Sequence, residues 1–260
     1  MNRFSGCISV ITGAGSGIGK AAAIRLAQEG SKVILVGRTR EKLMNVADEI
    51  HQSAPESAGV YVADVTDEHD VTVLAQYVKS TYGDLHVLIN NAGGSFYSSV
   101  SHLPAEEWDQ VFALNLRSVF LVSKLLGHVM ISAASREDSN QRKDRAIVNV
   151  ASLSGHKPGA RIPHYSASKA AVINFTKALA GEYAPYGIRV NSVSPGFVET
   201  PLTEKGLQND SFVEAIKRHT ALKRVGRPDE IANVIAFLAS QESSYMTGSD
   251  VLVDGGWLIT

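Results

Sequence analysis

The chain has 260 residues, a formal net charge of −1 and a single cysteine, Cys7. The near-neutral balance gives no electrostatic footprint for a nucleic-acid partner, and one cysteine excludes an intrachain disulfide and a cysteine metal cluster. The length suits a single α/β domain; with no signal-peptide pattern and no apolar run near 20 residues, a cytoplasmic protein without a membrane span is expected.

Ile8–Ile11 is an apolar run, Thr12–Gly19 follows, and Lys20–Glu29 carries a helical pattern stopped by Gly30. Strand, glycine turn and helix in this order let backbone N–H groups and the helix N-terminus approach a pyrophosphate. The spacing of Gly13, Gly17 and Gly19 is G-x-x-x-G-x-G, and a purely structural turn is the competing reading. Val33–Val36 is a second apolar run that ends at Gly37-Arg38. In dinucleotide folds an acid at this strand end takes the ribose 2′-hydroxyl. Arg38 stands there instead, with Arg40 close behind, and a guanidinium suits a 2′-phosphate. A solvated loop arginine is the alternative.

A helix is expected over Glu41–Gln52, a strand over Val60–Ala63 ending in Asp64-Val65, and a helix over Glu68–Tyr82 stopped by Gly83. Val87–Ile89 is the next strand, followed by Asn90-Asn91-Ala92-Gly93-Gly94. The alternation predicts a parallel sheet with helices on both faces. Ligands bind beyond the carboxyl ends of such strands, and Gly13–Gly19, Arg38, Asp64 and Asn90–Gly93 all fall there.

Pro104–Ile131 reads as one long helix with Asn115 inside it, although asparagine competes for backbone bonds in helix interiors. Ser135–Arg145 is polar and reads as an exposed loop. The strand Ile147–Ala151 delivers Ser152 to its carboxyl end. Tyr165-Ser166-Ala167-Ser168-Lys169 then opens an alanine-rich helix that runs to Ala184. Residues four apart share a helix face, so Lys169 is expected beside Tyr165. At about 4 Å and an effective dielectric of 20, the ammonium would favour the phenolate by about 4 kcal/mol, roughly three pKa units as an upper limit. The pair is a candidate general acid/base, against the bland reading of two surface neighbours.

Ile188–Val193 is a sixth strand, Pro201–Arg224 with a helical piece at Ser211–His219 reads as a mobile lid, Arg227–Ser240 as a helix and Val251–Val253 as the last strand. His156 and His164 match no metal spacing and read as structural or substrate-rim residues. Phe96, Tyr97, Phe197 and Trp257 suit either an apolar pocket or the core.

The motifs Thr12–Gly19, Asn90–Gly93, Asn115, Ser152, Tyr165-x-x-x-Lys169, Asn191 with Pro195-Gly196, and Asp254-Gly255-Gly256 run the full length of the chain. In that order the chain resembles the short-chain dehydrogenase/reductase family, and within it 3-oxoacyl reductase-like members. The resemblance implies a Rossmann-like doubly wound parallel sheet, three layers α/β/α, in one domain over 1–260 with a lid at about 200–224. It implies hydride transfer between a nicotinamide and a carbonyl or secondary alcohol. The catalytic tetrad falls on Asn115, Ser152, Tyr165 and Lys169, with Asn115 placing a relay water and Lys169 also holding the nicotinamide ribose. Cofactor contacts fall on Gly13, Ser16, Gly17, Ile18, Gly19, Arg38, Asp64, Val65, Asn91, Ala92 and Gly93, then on Tyr165, Lys169, Pro195, Gly196, Val198 and Thr200, with no metal. Ser16 stands where many NADP users carry a cation, so NADP(H) is favoured over NAD(H) mainly on Arg38, with Arg40 adding charge at longer range. A homotetramer is implied, with contacts through Ala167, Ala170, Ala171, Ala178 and the Asp254–Gly256 segment. The 135–145 stretch is longer than the family's usual connection. An NAD-dependent alcohol or sugar dehydrogenase is the alternative enzyme, and a catalytically silent nucleotide sensor the alternative of another class.

Overall fold

In the computed structural model, which describes residues 2–138 and 142–260, seven strands pair side by side. They are β1 (Ile8–Thr12), β2 (Lys32–Gly37), β3 (Ala58–Val62), β4 (Val87–Asn90), β5 (Arg145–Val150), β6 (Ile188–Pro195) and β7 (Asp250–Val253). All pairings are parallel, in the order β3-β2-β1-β4-β5-β6-β7. The helices are α1 (Gly17–Gln28), α2 (Arg40–Ser53), α3 (Glu68–Tyr82), α4 (Ala105–Phe112), α5 (Ser118–Ala134), α6 (Pro163–Tyr183), α7 (Glu204–Leu207), α8 (Asp210–His219) and α9 (Pro228–Ala239).

Successive strand side chains point to opposite faces, and here both faces are apolar. Ile11, Leu35, Ile89 and Val148 pack with α1, α2 and α9. Val10, Ile34, Leu88 and Ile147 pack with α3, α5 and α6. Burial on both faces is why the strands read as continuous apolar runs rather than alternating ones. The result is the three-layer, doubly wound arrangement expected from the sequence.

Three local expectations need correction. β3 begins at Ala58, earlier than its apolar residues suggest, because Ala58 and Gly59 pair in register with Val33 and Ile34. The long helix is interrupted by a π-helical turn, Ala113–Arg117, that holds Asn115. Counted as one body, Ala105–Ala134 is 30 residues with a mean hydropathy of 1.4 over its most apolar stretch, long and apolar enough to cross a membrane by length and composition, although Arg117 and Lys124 interrupt it. Of that stretch 56% is buried inside the fold, which makes it a core helix.

The third correction concerns the polar stretch at 135–145, of which residues 139–141 lie outside the described residues. Arg145 is not in an exposed loop. It opens β5 with no exposure to solvent. Its guanidinium meets Asp84 at 2.7 and 3.1 Å and Glu137 at 2.8 and 2.9 Å. Two bidentate carboxylates thus compensate one buried cation. Arg145 holds the Glu137 carboxyl well below its ordinary range, at about 2. A depressed carboxylate stabilises the fold fully above its unfolded value of about 4.3 and loses that contribution as pH falls through the folded value. Glu137→Gln should therefore lower the unfolding free energy at pH 7 by about 1.5–3 kcal/mol. Urea titrations from pH 7 down to pH 2 should show the difference between variant and wild type shrinking below about pH 4.

Candidate active site

The carboxyl ends of the strands form one edge, and the sequence-selected residues meet there. Thr12, the last residue of β1, accepts hydrogen bonds at Oγ1 from the backbone N–H groups of Asn91 and Ala92, at 2.9 and 3.0 Å. Asn91 Nδ2 in return donates to the Thr12 and Gly13 carbonyls at 3.0 and 3.2 Å. The turn after β1 and the turn after β4 are thereby cross-braced. Gly13 has φ +65°, and a Cβ there would lie 2.8 Å from Asn91 Nδ2. Gly17 faces Thr200, from the segment after β6, within about 3.2 Å of a built Cβ.

Ser16 is the N-cap of α1, makes no side-chain cap bond, and the first helical turn holds no acid. Ile18 packs against the sheet core. The positive end of α1 is consequently open to an anion. Arg38, at the end of β2, has a side chain 71% exposed and sits 3.9 Å from Asp64. Burial works against the Asp64 charge, but two bonds from Thr66 and the Arg38 guanidinium outweigh it and hold the carboxyl below its ordinary value. Val65 is buried beside it. Pro195 ends β6, Gly196 donates to the Val253 carbonyl at 2.9 Å, and Val198 is buried and bridged to Gly226. The glycine turn, the open helix end and the exposed Arg38 fit a dinucleotide laid along this edge.

Ser152 follows β5 and caps a short turn, accepting from Ser154 N at 3.1 Å. Gly155 permits that turn to pack on α6, because a Cβ would lie 3.0 Å from the Lys169 carbonyl carbon and the Ala170 nitrogen. Tyr165 and Lys169 sit on the first two turns of α6, as expected. Lys169 is 4% exposed, and its ammonium donates to the Val150 carbonyl at 2.7 Å. It lies 5.7 Å from the centre of the Tyr165 ring. A Cβ on Gly93 would fall 2.7 Å from Asn115 Oδ1 and 3.5 Å from Lys169 Nζ, so the loop after β4 closes on both. Asn115 has no solvent exposure. Its amide accepts from Gly94 N at 3.0 Å and donates to Gly94 O at 2.8 Å.

The electrostatics differ from the expectation that Lys169 depresses the Tyr165 phenol. Burial pushes Tyr165 above its ordinary value, and the neighbouring Ser152 hydroxyl opposes that rise. Burial also lowers Lys169, to about 8. The ammonium is turned to a carbonyl at the strand end, which the i,i+4 spacing does not reveal.

Sequence reasoning missed the Thr12 brace and a buried chain beneath the site. Asn90 Nδ2 donates to Ser123 Oγ at 2.9 Å and to Asn149 Oδ1 at 2.8 Å, and Asn149 Nδ2 donates to Thr176 Oγ1 at 2.9 Å. An asparagine in an otherwise apolar strand, at the end of β4 in Asn90 and inside β5 in Asn149, is the signal that was present. His156 pairs with Asp250 at 2.8 Å. His164 is wholly buried with neither ring nitrogen hydrogen-bonded. Phe96 and Tyr97 are 48% and 74% exposed and are not core, whereas Phe197 and Trp257 pack together at 4.8 Å.

Comparison with known proteins adds three kinds of likeness. A family profile described as Enoyl-(Acyl carrier protein) reductase matches residues 13–258. The chain is 40% identical over 257 residues to a 3-oxoacyl-[acyl-carrier-protein] reductase of Thermotoga maritima, covering 99% of this chain and 100% of that one. The crystal structure of a short-chain type dehydrogenase/reductase from Mycobacterium marinum superposes with a TM-score of 0.91 at 35% identity, covering 99% and 97% of the two chains. A putative NAD(P) dependent gluconate 5-dehydrogenase from Beutenbergia cavernae, with bound NADP, superposes with a TM-score of 0.91 at 34% identity, covering 98% of each.

A buried ammonium that titrates near 8 instead of about 10.4 is disfavoured at pH 7 by on the order of 3 kcal/mol. Lys169→Met should therefore unfold at higher urea than the wild type at pH 7, by about 1–3 kcal/mol once the lost Val150 bond is counted. The folded value is lowered, so the penalty is constant below pH 8 and fades between pH 8 and about 10.4. The stability gap between the two proteins should close across that window.

Proposed function

The chain belongs to the short-chain dehydrogenase/reductase family of NAD(P)-dependent oxidoreductases, and we propose that within it this protein is an NADP(H)-dependent carbonyl reductase of the 3-oxoacyl type. The observation that carries the reading is the Ser152 hydroxyl beside the Tyr165 phenol, with the Lys169 ammonium buried behind the ring. The nicotinamide cofactor, when bound, supplies or takes the hydride.

The chain's own work is to handle one proton and one oxygen. Tyr165 gives its proton to the developing alkoxide in reduction and takes it from the alcohol in oxidation. Ser152 hydrogen-bonds the same oxygen and steadies its charge. As the proton leaves, the Lys169 ammonium, 5.7 Å from the centre of the ring, favours the phenolate. Asn115 holds the Gly93–Gly94 loop against Lys169, so its amide acts first as a clamp. Each amide atom keeps one further bonding site, with which Asn115 would place the relay water.

Preference for NADP(H) rests on Arg38, whose guanidinium is largely exposed just past the end of β2, with Asp64 from the end of β3 at 3.9 Å as its acidic neighbour. The structure of the similar protein described as a putative NAD(P) dependent gluconate 5-dehydrogenase has NADP bound at low occupancy. The 40% identical relative is named for 3-oxoacyl thioester reduction. Phe96, Tyr97 and Val100, exposed on the loop after β4, suit an acyl chain better than a sugar. The whole chain acts as one domain in the cytoplasm, with residues 200–224 covering the substrate. It assembles as a homotetramer, for which the Trp108–Phe112 stack and the Phe120–Phe175 pair, both partly exposed, supply apolar contact surface.

Tyr165→Phe should lower kcat at least about 100-fold in a reduction assay on ketones and acyl thioesters, with NADPH affinity unchanged. A variant within about tenfold of wild type would remove Tyr165 from the proton's path. Wild-type kcat/KM should be about ten- to a hundredfold higher with NADPH than with NADH, and Arg38→Ala should erase most of that ratio. Equal or better turnover with NADH would overturn the cofactor assignment, and a ratio that survives Arg38→Ala would overturn the residue.

A further inference from the structure

We propose that Trp257 is a positioning residue that fixes how far the segment over the substrate closes, and so sets the size of substrate accepted. The inference rests on the reading above that this segment covers the substrate.

Both roots of the segment are fastened to the body of the protein. At one root Gly226 N donates to Phe197 O at 2.9 Å and Glu199 N donates to Gly226 O at 3.0 Å. At the other, Leu222 N donates to Gly255 O at 3.0 Å. A Cβ on Gly255 would lie 2.7 Å from Thr220 Cγ2, and one on Gly256 would lie 2.6 Å from the Ala221 Cβ. Both glycines have positive φ, +63° and +84°, so the returning chain rests directly on the C-terminal turn. The part lying between these fastenings is narrower than 200–224, and α8 is its main element. Within it α8 is a ten-residue helix whose N-cap, Asn209, accepts from Ser211 N and Phe212 N, so it moves as a unit.

Trp257 touches the fixed root and the moving helix together. Its ring lies 4.8 Å from Phe197 and 5.6 Å from His219, at the end of α8. Phe197 in turn meets Phe212 edge-on at 5.5 Å. Thr260 Oγ1 donates to the His219 carbonyl at 2.5 Å, which ties the end of α8 to the same turn. Beside this contact a cavity of about 90 Å³ is lined by Ile216, Thr220, Leu222, Val253 and Glu230. The inner face of α8 therefore has space to settle into, and the indole is the stop that limits how far it does so.

The test uses the full-length chain and three variants, Trp257→Ala, Trp257→Phe and His219→Ala, with light scattering and thermal melts to confirm fold and assembly. His219 is exposed, so its replacement removes the contact from the lid side with little risk to folding. Without substrate, limited proteolysis within 202–211 should run about tenfold faster in Trp257→Ala and three- to fivefold faster in His219→Ala, and within twofold of wild type in Trp257→Phe. With substrates, KM for a small ketone should rise about tenfold in Trp257→Ala while kcat stays within threefold. The preference for a bulky over a small ketone should shift at least fivefold towards the bulky one, and NADPH affinity should hold within twofold. Unchanged proteolysis in both alanine variants, an equal KM change for small and bulky substrates, or failure of Trp257→Phe to restore wild-type behaviour would overturn the proposal. Altered proteolysis in a protein that turns over no carbonyl would uphold the stop and overturn the functional reading instead.

Discussion

Lys169 carries an ammonium into the interior of the fold, and its surroundings are arranged around that fact. A cation in such a place needs oxygen partners. The Val150 carbonyl at the last position of β5 is one, at 2.7 Å. The Gly93 backbone approaches because glycine has no side chain to obstruct it, and Asn115 then pins the following residue. The end of β5, the loop after β4, the π turn and the first turns of α6 are thus mutually dependent. Burial disfavours the charge, which leaves the ammonium ready to interact with any negative charge that appears on Tyr165. The instability of the resting arrangement and the chemistry proposed for it have one source.

The sheet supplies the rigid edge that such an arrangement requires. In a parallel sheet all strands finish on one side, so every loop that follows a strand from the same direction can contribute to one site. Loops are normally the mobile part of a fold. Here they are stiffened where they leave the sheet. Thr12 and Gly13 share four hydrogen bonds with Asn91 and Ala92 across the β1–β4 junction. One layer deeper, Asn90, Ser123, Asn149 and Thr176 link β4, α5, β5 and α6 in a buried chain. Thr176 lies two helical turns from Lys169 on α6, so the chain fixes the helix that carries Tyr165 against the strand that carries Ser152. Apolar packing alone would leave α6 freer to slide; directional bonds do not.

What was legible in the sequence follows from which forces are local. Glycine positions, apolar runs and caps act over a few residues, and the strands, the helices and the gathering of Gly13, Arg38, Asp64, Asn91 and Ser152 at one edge could be read from them. Arg145 was misplaced because its partners are Asp84, 61 positions away, and Glu137, eight positions away. No periodicity encodes such a triad, and a polar stretch with a buried arginine looks like a polar stretch with an exposed one. The helix spacing correctly made Tyr165 and Lys169 neighbours. It said nothing of the Val150 carbonyl, which arrives from another element and decides where the ammonium points. Asn115 was the one hint of the π turn: an amide that suits an α-helix poorly, in a segment otherwise apolar. The exposed Phe96 and Tyr97 were indistinguishable from core aromatics, since composition does not tell which way a loop turns.

The π turn at Ala113–Arg117 also changes how the chain can be altered over time. Such a turn is an α-helix that has absorbed one surplus residue in its backbone. Removing a single residue here would let α4 and α5 run together as one regular helix, an outcome that helix propensity itself favours. Because the wide turn takes up the extra residue, the helices on either side would keep their faces, and Trp108 and Phe112 would stay where they are. What would go is the widened turn that brings the Asn115 amide to Gly94, and with it the closure of that loop on Lys169. The helix would be locally more regular and the site disassembled. The surplus residue is therefore a local insertion whose effect is confined to the one side chain it presents.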